Sequence, residues 1–133
     1  MRVAAAAALA PGGRLVLVEG HPAMAMLDGA TPAGAPMQVR YPYAAAEPQI
    51  DQDATDYAGA RSGVITEGYA HGLARILTAA LSAGLTLRRF TEGDRIPWPA
   101  LGSLVKHDRD YWTLPPDAPW VPLSFTLEAV KAG

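Results

Sequence analysis

Cysteine is absent from the chain. That excludes disulfide frameworks, thiolate metal sites and cysteine nucleophiles together, and it fits a cytoplasmic location. Charge is also scarce. Only 18% of the 133 residues are Asp, Glu, Lys or Arg, with a formal net charge of −2, so there is no basic field to draw nucleic acid. No apolar run approaches the roughly 20 residues needed to cross a bilayer, and no membrane partner is expected. The histidines at 21, 71 and 107 lack metal-ligand spacing. Asp51-x-Asp53-x-Thr55 resembles the start of a calcium loop, but Asp56 stands where glycine is needed and Ser62 where glutamate is needed. A Gly-x-Ser-x-Gly elbow and a P-loop are both missing, so metal and hydrolase readings fall away.

What is present is a chain half apolar by count, long enough for one small domain with a core and short for a complete α/β enzyme with helices on both faces. The first ten residues invite a signal-peptide reading, with Arg2 before an apolar stretch that ends in small residues. Alanine dominates that stretch, however, and alanine is a strong helix former of weak hydrophobicity. Residues 2–10 are therefore expected to be the end of a helix, stopped by Pro11 and turned by Gly12-Gly13.

Leu15-Val16-Leu17-Val18 is an uninterrupted apolar strand, which predicts cover on both faces and a parallel sheet. Gly20-His21-Pro22 ends it, and Ala23 to Leu27 is expected to form a short helical turn. Residues 28–63 are rich in Gly, Pro, Ala and Asp, with a brief β-like piece at Met37 to Tyr43, and read as an irregular insertion. A helix is predicted from about Tyr69 to Ala83, with Leu73, Ile76, Leu77, Ala80 and Leu81 as its buried stripe and Gly84 as its left-handed terminator. A strand follows at Leu85 to Phe90, then a Pro- and Trp-bearing loop at about 91–120. The last element is a strand at about Leu123 to Val130. There Leu123, Phe125, Leu127 and Ala129 alternate with polar residues, which marks one buried and one wet face. This order reads as the trailing half of an α/β sheet.

Leu9-Ala10-Pro11-Gly12-Gly13-Arg14 and the strand after it, closed by His21-Pro22, resemble the segment entering the fifth strand of class I S-adenosylmethionine-dependent methyltransferases. Tyr69-Ala70-His71-Gly72-Leu73 and Ala83-Gly84-Leu85 are similar to the penultimate helix and sixth-strand entry of a small-molecule branch of that family. Trp98, Tyr111-Trp112 and Leu114-Pro115 resemble its aromatic loop, and Pro122 to Lys131 its final strand. The resemblance covers nearly the whole chain. It implies the C-terminal part of a Rossmann-like sheet, with strands equivalent to the fifth, sixth and seventh, in an enzyme that transfers a methyl group to a small molecule.

The cofactor so implied, S-adenosylmethionine, is held in the family by a Gly-rich turn after the first strand and an acidic residue ending the second. Neither is found in this sequence, so the fold is expected to be incomplete and no cofactor-binding residue is assigned. In the family's arrangement the fifth strand pairs with the final strand on one side and with the fourth on the other. A missing fourth strand leaves an exposed edge, and self-association through it is expected.

Ligands of open α/β sheets lie beyond the carboxyl ends of the strands. His21 falls there and is the candidate catalytic residue, as substrate contact or base; the alternative is a turn residue whose ring caps a backbone carbonyl. Tyr43, His71 and Trp98 are the candidate substrate-binding residues. For the two aromatics the alternative is loops pinned to the domain by ring burial. For His71 it is a hydrogen-bonded residue packed at a helix start. His107, in the charge run Lys106 to Asp110, reads as solvated loop. A rival for the whole chain is a non-catalytic α/β protein that binds a ligand or assembles through its open strand.

Overall fold

The computed structural model describes residues 4–51, 63 and 65–133. The main sheet has three strands, β1 (Arg14–Gly20), β4 (Leu85–Gly93) and β8 (Ser124–Lys131), in the order β1-β8-β4. The last strand runs antiparallel to both neighbours, with Leu17 opposite Leu127 and Phe90 opposite Leu127. Two helices, α1 (Ala4–Ala8) and α3 (Leu73–Ser82), supply apolar cover, and the four-residue α2 (Pro22–Ala25) follows β1 directly. Small antiparallel additions complete the chain: β2 (Gln49–Asp51) with β3 (Thr66–Gly68), and a sheet of β5 (Arg95–Ile96), β6 (Val105–Lys106) and β7 (Trp112–Thr113) in the order β5-β7-β6. The architecture is a small α/β domain with antiparallel sheets and few helices.

Alternation along β8 works as expected. Phe125, Leu127 and Ala129 are about 1% exposed, and with Leu85, Ala80 and Ala6 they form a first core. Each such large side chain contributes roughly 1.5–3 kcal/mol on leaving water. Leu15 and Leu17 of β1 and Leu73, Ile76 and Leu77 of α3 pack onto it. A second core lies beyond the end of the sheet where β1 finishes. It is built from Met24, Leu27, Ile96, Leu101, Leu104 and Leu123, with Trp98 and Trp112 against it.

The expected two-sided cover of β1 is not found. Val16 and Val18 are 56% and 66% exposed, while Leu15 and Leu17 on the opposite face are packed. The parallel-sheet inference from Leu15 to Val18 fails for the same reason. A continuous apolar run marks a strand that needs cover, and it does not set the direction of the neighbour. The edge itself is as expected: β1 pairs with β8 and with no other strand among the described residues.

The main helix begins at Leu73 rather than near Tyr69, because Gly72 is its N-cap, and Leu81 leaves the predicted stripe at 55% exposure. Gly84 has φ +79°, the left-handed turn its position demanded. The strand after it runs on to Gly93, past the predicted Phe90, and the 91–120 loop is not structureless, since it holds the β5-β7-β6 sheet. Of the 28–63 insertion, residues 52–62 lie outside the described residues, and with them most of the calcium-like pattern. The β-like piece at Met37 to Tyr43 contributes one antiparallel bridge, Leu27 to Val39. No helix of the described residues is long and apolar enough to cross a membrane.

Candidate functional site

The carboxyl end of β1 carries the densest polar arrangement. His21 leaves the strand through a backbone bond, its N–H donating to the Leu123 carbonyl at 2.9 Å, and becomes the N-cap of α2. Its ring is almost fully buried, edge-on to Phe125 with ring centroids 6.3 Å apart. Nδ1 accepts the Ala23 N–H at 3.0 Å, which fixes the tautomer with the proton on Nε2. Nε2–H then donates to the Glu92 carboxylate at 3.0 Å, across β8 from β1. The cap is therefore a backbone amide and not the carbonyl that sequence reasoning suggested. Both ring nitrogens are committed, so a role as base requires one of these bonds to break.

Glu92 is the partner the sequence did not disclose. It lies 71 residues from His21, near the end of β4, and nothing in its local pattern marks it. Its carboxylate is 42% exposed while the imidazole is 4% exposed, so the pair bridges core and solvent.

Beside this pair, over the packed face of β1, lies a cavity of about 380 Å³. Leu15, Leu17 and Phe125 form one wall, and Ala79 and Ala80 of α3 another. Glu19, Pro22 and the segment Tyr69 to His71 complete the lining. The size falls within the usual range of about 300–1,000 Å³ for small-molecule pockets. His71 stands two positions before α3, and its ring stacks on Tyr69 at 6.4 Å with planes 14° apart. Its Nδ1 is buried and finds no hydrogen-bond partner among the described residues. A buried polar atom left in that state is costly unless something else meets it.

The remaining candidates fall on either side of this cavity. Tyr43 belongs to the start of α3, where its hydroxyl accepts the Leu73 N–H at 3.1 Å. A Cβ on Gly72 would stand 2.7 Å from the Tyr43 ring, so glycine is what lets the ring lie there. Trp98 packs into the second core, with its ring edge 3.9 Å from where a Cβ of Gly20 would be. His107 is an exposed loop residue whose backbone N–H donates to the Tyr111 carbonyl. The structure thus gathers His21, Glu92 and Trp98 at the end of β1, and Tyr43 and His71 at the start of α3. Neither Tyr43 nor Trp98 lines the cavity that His71 lines.

The Pro11-Gly12-Gly13 turn bears on cofactor binding. The Gly12 N–H donates to the Lys131 carbonyl at 3.1 Å and the Gly13 N–H to the Ala10 carbonyl at 2.9 Å. Both amides are spent within the protein, so this turn offers no cradle to a cofactor. The described residues contain no group of three or more His, Cys, Asp or Glu side chains arranged to hold a metal ion. Comparison with protein families, with curated proteins and with solved structures finds no match to this chain.

Proposed function

We propose that the chain is the C-terminal part of a class I S-adenosylmethionine-dependent methyltransferase acting on a small molecule, with the cofactor-binding strands outside these 133 residues. The observation that carries this reading is the pairing of β1. The resemblance requires the strand after Pro11-Gly12-Gly13 to pair with the final strand on one side and to offer its other side to a fourth strand. β1 pairs with β8 over seven positions and presents a free edge among the described residues. The cavity over the packed face of β1 reaches the carboxyl end of the strand at Glu19, Gly20 and Pro22, next to where open α/β sheets take their ligands, which supports a binding role for that end.

In this reading His21 is a positioning residue. It caps α2, packs on Phe125 and holds Glu92. No arrangement among the described residues fits S-adenosylmethionine, and no contact to the cofactor is assigned to this chain.

The test begins upstream of Met1. A Gly-rich turn is expected about 70–100 residues before Pro11, the span of four strands and their helices at typical lengths. An enzyme that includes it binds S-adenosylmethionine, while calorimetry on the 133-residue chain shows no binding. Micromolar binding by the short chain overturns the proposal. In the longer enzyme His21→Ala lowers turnover well below His107→Ala, since only His21 sits at the carboxyl end of β1. Equal, small losses return His21 to a purely structural part.

One observation favours a second reading, a non-catalytic ligand-binding domain. Both nitrogens of His21 are committed and its ring does not line the cavity, so this residue offers no free base there. An upstream region without a Gly-rich turn decides for this second reading.

A further inference from the structure

A second cavity, of about 760 Å³, borders the second core. Met24, Leu27 and Leu101, each under a tenth exposed, give it an apolar wall. Asp28, Arg40 and Tyr41 give it a polar one, and backbone bonds hold that wall in place. Leu27 bridges Val39, the Asp28 N–H donates to the Gln38 carbonyl at 2.9 Å, and the Arg40 N–H donates to the Met26 carbonyl at 2.8 Å. Asp28 Oδ1 accepts the Ala30 N–H at 3.1 Å and Arg40 Nη1–H at 3.3 Å. The guanidinium also lies over the Tyr41 ring, 5.5 Å from its centroid. Asp28 Oδ2 and Arg40 Nη2 have no hydrogen-bond partner among the described residues. Both side chains reach solvent, at 24% and 58% exposure, so a molecule in the cavity can meet them. Opposite charges held this close select for a third party of matching dipole. A lone anion at Arg40 is repelled by Asp28, and a lone cation at Asp28 is repelled by Arg40.

We propose that this cavity binds a zwitterionic α-amino acid with a large apolar side chain. Its carboxylate accepts from Arg40, its ammonium donates to Asp28 Oδ2, and its side chain lies against Met24, Leu27 and Leu101. The ion pair is solvated, so each charge contact changes affinity severalfold and no more. Removal of the side chain from water supplies the rest. This site and the methyl-transfer reading are independent, and neither rests on the other.

The test is a chemical-shift titration of the 133-residue chain at pH 7, followed at the amides of Ala30 and Arg40. The probes are phenylalanine, 3-phenylpropionate, phenethylamine and glycine, which separate the two charges and the side chain from one another. Phenylalanine is expected to bind with a Kd on the order of 1 mM, reasonable for a ligand of its size. Phenylpropionate and phenethylamine each bind about fivefold more weakly, the ratio of one solvated ion pair. Glycine does not saturate, because it leaves the apolar wall unfilled. Asp28→Asn keeps an oxygen for the Ala30 N–H; it weakens phenylalanine and strengthens phenylpropionate, whose repulsion it removes. Arg40→Met weakens phenylalanine and strengthens phenethylamine for the converse reason. A variant that merely loses structure weakens every probe together, so the reversed order separates recognition from folding. Phenylalanine no tighter than its two singly charged analogues, or glycine equal to phenylalanine, overturns the proposal. Variants that move all the probes in one direction overturn it as well; should Arg40→Met not fold, Asp28→Asn decides alone.

Discussion

Single residues do unusually distant work in this chain. Lys131, at the end of the last strand, donates from Nζ to the carbonyls of Ala6 and Leu9 at 3.0 and 2.8 Å. Carbonyls at the end of a helix have no partners within it, and an ammonium that meets them also complements the helix dipole. α1 has five residues, too few to persist alone, so its attachment depends on this contact and on burial of Ala6. Lys131→Met keeps the aliphatic stem and removes both bonds. It is expected to cost about 1–3 kcal/mol in a denaturant melt, with earlier amide exchange over residues 4–8. His21 and Glu92 form the second distant pair. Glu92→Gln keeps an acceptor oxygen for Nε2–H and is expected to change stability by less than about 1 kcal/mol, whereas His21→Ala removes a cap and a buried bond and costs about 2–3 kcal/mol. Equal melts for the two variants mean that the bond to Glu92 depends on its charge. None of these pairs was legible in sequence: Lys131 and Glu92 find partners 122 and 71 positions away, and periodicity reports only neighbours.

At the scale of elements, legibility followed length. β8 showed its buried face through the alternation of Phe125, Leu127 and Ala129, and α3 showed its own through Leu73, Ile76, Leu77 and Ala80. Each pattern spans enough residues for the period to repeat. The β5-β7-β6 sheet has strands of two residues, shorter than one full alternation, and no pattern can announce it. The start of α3 was misplaced because its cap is tertiary. Gly72 offers no side chain to the helix amides, and Tyr43, thirty residues earlier, supplies the acceptor for Leu73 N–H. A bond of that kind is worth about 1 kcal/mol. Tyr43→Phe is therefore expected to lower stability by roughly that amount while leaving the ring in place over Gly72, and a helix start unaffected in amide exchange would contradict the capping role. The candidate site was legible in the same partial way. The strand-end rule located His21 and its surroundings, yet the cavity lies over the face of β1 and takes His71 rather than Tyr43 or Trp98, because those rings are occupied with a helix start and the second core.

For the whole molecule the decisive feature is an asymmetry between the two edges of the main sheet. The β4 edge is protected: its ladder is interrupted by an irregularity between Leu87 and Arg89, and Arg88 and Arg89 are exposed there. Bulges and charges of this kind keep an edge from accepting another strand. The β1 edge has no such device. Its ladder with β8 is unbroken from Arg14 to Gly20, no proline or charge interrupts Leu15 to Val18, and Val16 and Val18 stand exposed on the open face. A second copy pairing antiparallel about Leu17 would set Val16 opposite Val18 of that copy, on one face of a continuous six-stranded sheet, and bury four valines that water now touches. The chain is thus expected to self-associate in isolation, its weight-average mass rising with concentration in sedimentation and its thermal transition sharpening in parallel. Replacing both valines by lysine puts like charges opposite each other across that junction, which is destabilising in a strand pair, and should return the chain to a monomer without disturbing the packed face. A wild-type chain that sediments as a monomer at every concentration and melts in one sharp transition has a managed edge. That outcome would remove the need for a fourth strand, and with it the main support for methyl transfer.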